Sequence, residues 1–136
     1  MYDLIVKGGI VVDPSQNLHA ISDVAIEDGK IAKIAVDIPA EEAKRVVEVK
    51  GKVVTPGLID LHTHVYSGVN ANGVDPDIGG VRAGVTTMVD AGSAGCDNFG
   101  GFPAHILPNT ATEIICFLHI CRTGLNTTPD IFSPES

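Results

Sequence analysis

The chain is poor in positive charge and in aromatic side chains, and no run of apolar residues in it approaches the length of a membrane span. Nine lysines and arginines stand against 17 acidic residues, for a formal net charge of −8 at pH 7. That balance argues against nucleic acid and against anionic membrane as partners, and leaves solubility as the simplest role of the charge. Aromatics make up 4% of the residues and hydrophobics 44%, a globular composition about one domain long. The opening residues Met1 to Gly9 lack a basic start followed by a long apolar segment, so a cytoplasmic location is expected. The three cysteines, Cys96, Cys116 and Cys121, are odd in number and lack Cys-Xaa-Xaa-Cys spacing, which points away from a disulfide framework or a structural zinc site. Cys116 and Cys121 read as small core residues. Lysine is absent after Lys52.

What is present begins with short β text from Leu4 to Val54. Leu4 to Val6 and Ile10 to Val12 flank Gly8-Gly9, a permissive pair suited to a reversal or a bulge. Asp28-Gly29, set between Val24-Ala25-Ile26-Glu27 and Lys30-Ile31-Ala32-Lys33, supplies the positive φ angles of a two-residue hairpin. The register this implies sets Glu27 opposite Lys30 and Ile26 opposite Ile31. A brief helix fits between Pro39 and Arg45, and Val46 to Val49 and Val53-Val54 read as further strands around Lys50-Gly51-Lys52. Short antiparallel strands with Gly turns predict a small β sandwich.

Pro56-Gly57 then introduces Leu58-Ile59-Asp60-Leu61-His62-Thr63-His64-Val65, which reads as a buried strand. Alternation puts Leu58, Asp60, His62 and His64 on one face. Two imidazoles one pleat apart suit a borderline-soft cation such as zinc, which takes three or four protein ligands in all. The plainer alternative is a pair of histidines satisfied by hydrogen bonds. His19, His105 and His119 lack ligand-like spacing and read as surface or structural residues.

Beyond the histidines the period changes. Asp75-Pro76-Asp77 predicts a helix with an Asp cap and Pro in its first turn, an apolar stripe of Ile78, Val81 and Val85, and Gly84 at its end, with Arg82 as a surface cation near that end. Val85 to Ala91 reads as a parallel strand covered on both faces, followed by a Gly-rich loop from Gly92 to Gly101. Pro103 and Pro108 leave room for one or two helical turns, and Thr112 to Ile120 reads as a third parallel strand. From Arg122 onward the text is polar loop.

The segment Val53-Val54-Thr55-Pro56-Gly57-Leu58-Ile59-Asp60-Leu61-His62-Thr63-His64 resembles the first barrel strand of the amidohydrolase superfamily, and the Gly-Gly-Xaa-Val-Val-Asp and Val-Ala-Ile-Glu-Asp-Gly-Lys-Ile stretches resemble that family's N-terminal segment. The run Gly84-Val85-Thr86-Thr87-Met88-Val89-Asp90-Ala91-Gly92-Ser93 is most similar to the dihydroorotase-like and N-acyl deacetylase branch. The resemblance implies an α/β fold, with a small N-terminal β sandwich over residues 1–55 leading, over residues 56–136, into the first three strands of a (β/α)8 TIM-type barrel that is incomplete in this chain. It implies that His62 and His64 bind a divalent metal, most simply zinc, that Asp60 supports them without ligating, and that Gly92 and Ser93 belong to a substrate loop, the alternative for that loop being an ordinary strand-to-helix connection. Asp90, near the strand end, is read as a residue behind the site.

In the resembled family a metal-activated water attacks an amide or ester carbonyl, a late aspartate moves the proton, and many members add a bridging carbamylated lysine and two later histidines. With no lysine after Lys52 and too few residues after His64 for a barrel of about 250 residues, no catalytic residue is assigned. The expected function is therefore the N-terminal part of a hydrolase acting on the cyclic amide or N-acyl bond of a small molecule. The alternative is a truncated, inactive chain with at most weak metal binding. A stand-alone binding module is the third reading, disfavoured by the strands after Pro56. Oligomeric state is not legible in the sequence.

Overall fold

A computed structural model of the chain describes residues 1–125. The loop segments read at Thr127 to Asp130 and Ser133 to Ser136 lie outside the described residues. The chain divides into two compact units, Met1–Pro56 and a second that begins at Gly57.

The first unit is built on one long strand. β1 (Leu4–Asp13) pairs antiparallel with β2 (Leu18–Glu27), and β2 pairs antiparallel with β3 (Lys30–Ala35). The other edge of β1 takes β4 (Val46–Glu48) and then β5 (Val53–Val54), both parallel to it. The expected sandwich of antiparallel strands is thus corrected to one hydrogen-bonded sheet of mixed direction. The reason lies at Gly8-Gly9. Gly8 sits at φ 74° and the ladder to β2 slips between Val6 and Gly9, so the glycines make a bulge and the strand runs on instead of reversing. Its free edge is then long enough for two short strands in succession. The hairpin forms as its sequence predicts, with Asp28 at φ 51° and Gly29 at φ 72°, Glu27 opposite Lys30 and Ile26 opposite Ile31. Ile5, Ala25 and Ile38 form the buried core. Beside it the Asp23 carboxylate, 2% exposed, accepts from Lys7 Nζ (2.8 Å), Gly8 N (2.7 Å) and Ile38 N (2.9 Å).

The second unit holds three parallel strands in sequence order, β6 (Leu58–Thr63), β7 (Val85–Asp90) and β8 (Glu113–Cys116). Between β6 and β7 lies α1 (Pro76–Gly79), a single turn whose cap is the expected one: Asp75 accepts from the N–H groups of Asp77 and Ile78. A 3-10 turn at Val81–Ala83 follows, with Gly84 in the left-handed region at its end. The predicted apolar stripe is corrected, because Ile78 and Val81 are exposed and only Val85 packs on the core. One turn of helix is too short to carry a stripe. The connection to β8 is a wide turn at Phe102–Ile106 and a 3-10 turn at Leu107–Asn109, with Pro103 in the first turn where its missing N–H costs nothing.

Two further expectations change. β6 is not buried, since Leu58, Ile59 and Leu61 are all exposed, Leu61 to 73%. Its apolar residues record a preference and not what covers them, and as an edge strand of a three-stranded sheet it finds no cover among the described residues. The core instead begins just past it, where Val65, Tyr66, Met88, Ala94 and Phe102 cluster and the Tyr66 and Phe102 rings stack 4.3 Å apart. β8 ends at Cys116, short of Ile120, because its partner β7 ends at Asp90; Phe117, Leu118 and Ile120 are exposed. Cys121 is exposed too, so of the two supposed core cysteines only Cys116 packs against the cluster. Among the described residues no helix is long and apolar enough to cross a membrane.

Candidate functional site

His62 lies near the C-terminal end of β6 and His64 just beyond it, their ring centroids 5.5 Å apart and their planes at 83°. They are two residues apart, the spacing that alternation gives to one face of a strand. The ladder between β6 and β7 slips between Asp60 and Thr63, and in that interval Asp60 Oδ1 accepts from His62 N at 3.1 Å. A side chain bonding the backbone two residues on competes with the sheet ladder. Asp60 is exposed, on a strand whose sequence reads as buried.

His64 turns toward the loop after β7. Its Nδ1 lies 3.0 Å from Ser93 Oγ, and Ser93 is 2% exposed. Gly92, at φ 93°, makes the turn; a Cβ there would meet His119 Cδ2 at 3.0 Å, so glycine suits both the backbone and the space. The substrate-loop residues Gly92 and Ser93 therefore sit beside the histidine pair, buried rather than open.

Holding this corner is Asp90, 0% exposed. Its Oδ2 accepts from Val65 N at 2.8 Å, and its Oδ1 accepts from Ser93 N at 2.7 Å and Gly92 N at 3.1 Å. Nearby, burial and then the charge of Asp90 push the Cys116 thiol up to about 11. Asp90 had only a vague place in the sequence reading. The signal for half of its role was there: Asp followed two and three residues on by Gly and Ser is the pattern of a carboxylate capping its own loop. The other half, the reach to Val65, is a long-range contact.

Of the remaining histidines, His119 has its ring against Gly92. His19 is exposed on β2, His105 lies in the turn before β8, and His119 Nδ1 accepts from Cys121 N at 2.9 Å, a structural use of the ring. Among the described residues no group of three or more His, Cys, Asp or Glu is placed to hold a metal. Two imidazoles of that set are nevertheless adjacent, and the donor chemistry suits a divalent cation: with Nδ1 of His64 engaged by Ser93, its Nε2 is the nitrogen left to ligate, the usual division of labour in a metal-bound histidine.

A parallel sheet with two histidines at the end of its first strand, and the turn after its second strand set against His64, places the candidate site at the C-terminal ends of the strands, where α/β folds carry their sites. The sequence profile described as the amidohydrolase family matches residues 45–102. A deacetylase of Agrobacterium fabrum is 39% identical over 98 residues, which are 72% of this chain and 24% of that protein. The crystal structure of a dihydroorotase superposes with a TM-score of 0.79 at 30% identity, covering 93% of this chain and 33% of that one. A D-aminoacylase structure, reported for the functional role of its binuclear metal center, superposes with a TM-score of 0.55 at 34% identity over 71% of this chain and 19% of its own. The chain belongs to the amidohydrolase superfamily. It spans about a quarter of the length of the curated relatives it matches.

Proposed function

We propose that this chain carries the histidine-bearing opening of the site of a metal-dependent hydrolase cleaving a C–N amide bond in a small molecule, of the cyclic-amide or N-acyl type, with ester cleavage as the nearest variant. The observation that carries this reading is the His62–His64 pair, 5.5 Å between centroids, at the C-terminal end of the first of three parallel strands in sequence order. In the same reading residues 1–55 are an accessory β segment and residues 56–136 open a (β/α)8 barrel. A cytoplasmic setting goes with it.

His62 and His64 would hold the divalent cation, zinc being the first choice for imidazole ligands, and the D-aminoacylase with its binuclear metal center supports a metal here. Such a cation, when bound, supplies Lewis acidity toward a carbonyl oxygen and makes water more acidic. Asp60 would hold the backbone N–H of His62, and the buried Gly92 and Ser93 would flank His64. A second reading, a half-site that binds metal weakly and does not turn over, is favoured by the lack of a third ligand among the described residues.

Equilibrium dialysis against zinc, with a cyclic-amide and N-acyl amino acid hydrolysis assay, tests both. Zinc binding that falls in His62→Ala and in His64→Ala but persists in Asp60→Asn is expected. Equal zinc binding by the wild type and the double histidine variant would overturn the metal site. Stoichiometric tight zinc with turnover by this chain alone would overturn the half-site reading.

A further inference from the structure

We propose that Ser93 is a positioning residue that fixes the ring of His64 in its Nδ1–H tautomer, so that Nε2 is offered as a ligand before any cation arrives, and that the buried carboxylate of Asp90 holds the two partners at that separation. Both the role assigned to Nε2 and the choice of the Nδ1–H tautomer rest on the metal-site reading above, since the 3.0 Å contact by itself suits either tautomer.

Three observations carry it. Ser93 Oγ lies 3.0 Å from His64 Nδ1, and no other side-chain or backbone group among the described residues hydrogen-bonds that hydroxyl. A hydroxyl oxygen offers two lone pairs to an N–H, so Nδ1–H can donate to Oγ and leave the Nε2 lone pair available, provided the hydroxyl proton has an acceptor of its own. Second, Ser93, 2% exposed, also lines a cavity with Asn70, Asn98 and Thr123, a polar space in which a water can accept that proton. Third, one carboxylate pins the backbone on both sides of the contact. Asp90 Oδ2 takes the N–H of Val65, the residue next to His64, and Oδ1 takes the N–H of Ser93 itself. Val65 and Ser93 are 28 positions apart in sequence, and the single buried group between them sets the distance that the serine–histidine bond then uses.

Nitrogen-15 NMR of the imidazoles in the metal-free 136-residue chain, above the pH range of histidine protonation, reads the tautomer directly. The wild type is expected to show His64 with its proton on Nδ1. A proton on Nε2, with Ser93 donating instead, would overturn the proposal without any variant being made. Ser93→Ala is expected to shift His64 toward the Nε2–H form and to weaken zinc binding by about tenfold or more, the usual scale for losing a residue that orients a metal-bound histidine. Ser93→Thr, which keeps the hydroxyl, is expected to restore both. An unchanged tautomer in a folded Ser93→Ala chain would also overturn it. If the tautomer behaves as expected while zinc binding ignores both histidines, the metal reading fails and the serine–histidine bond stands as structure alone.

Discussion

Each half of the molecule holds an almost fully buried aspartate that accepts three hydrogen bonds, Asp23 at 2% exposure in the first and Asp90 at 0% in the second, and the two differ in their partners. In the first unit Asp23 has the ammonium of Lys7 among its partners, and Lys7 in turn bonds Asp37 and the carbonyl of Ile38. In the second, Asp90 is held by three backbone N–H groups, with no cation among the partners that bond it. Asp23 is buried as one member of an ion pair, whereas the Asp90 carboxylate is buried with backbone N–H partners alone and ties the chain after β6 to the loop that carries Ser93. Both units leave large apolar side chains exposed, Ile21, Ile31, Val36 and Val53 in the first and Leu58, Ile59, Leu61, Phe117 and Ile120 in the second.

Replacing the two aspartates is the strongest way to break this comparison. Asp90→Ala leaves three buried N–H groups unpaired, and at about 1–3 kcal/mol for each such group it should cost about 3–5 kcal/mol in urea unfolding. Asp23→Ala should cost less, about 2–3 kcal/mol, because two of its three partners are only partly buried and water can replace the carboxylate there. The reverse order would mean that the first unit, not the second, depends on its buried charge.

The pH dependence of unfolding sharpens the same contrast. Burial alone would raise the Asp23 carboxyl, but the Lys7 ammonium and the N–H groups of Ile38 and Gly8 more than offset it and hold the group below the usual carboxylate value. Its stabilisation is therefore present above the unfolded carboxylate pKa and lost as pH falls through the lower, folded one. The raised Lys7 ammonium acts at the other extreme, its contribution present below the unfolded lysine value and lost only as pH climbs through the higher folded one. Lys7→Met should move acid unfolding of the first unit to higher pH and leave the second unit's acid transition where it was. Circular dichroism followed across an acid titration of both chains checks this; coincident curves would contradict it.

The smallest effect is chemical. Cysteine occurs only in the second region, so thiol labelling reports on that region alone. Cys96 and Cys121 are exposed and should react promptly with a disulfide reagent. Cys116, pushed up to about 11, should react roughly a hundredfold more slowly, in proportion to its smaller thiolate fraction. Three equal rates would place Cys116 outside the core.

What was legible in the sequence was local. Asp28-Gly29 demands positive φ wherever it occurs between two apolar strands, and Asp75-Pro76 caps a helix with atoms two and three residues away, so both could be read without knowing the rest of the fold. The parallel addition of β4 and β5 to β1 depends on which edge is free, a matter settled at a distance of some 40 residues. The exposure of Leu61 was hidden for a related reason, since an apolar pattern records the preference of a face and not its cover. The histidine pair was visible as a spacing and as a resemblance. The bond from His62 N to Asp60, and the reach of the Asp90 carboxylate to Val65, became visible only when the strand register was placed in space.

The central claim is that His62 and His64 share a cation, and zinc K-edge X-ray absorption of the zinc-loaded chain tests it most directly. The account predicts imidazole scattering from two histidines with nitrogen at about 2.0–2.1 Å, lost when His62 and His64 are both replaced by alanine. A first shell of oxygen alone, or an imidazole signal unchanged in the double variant, would contradict it.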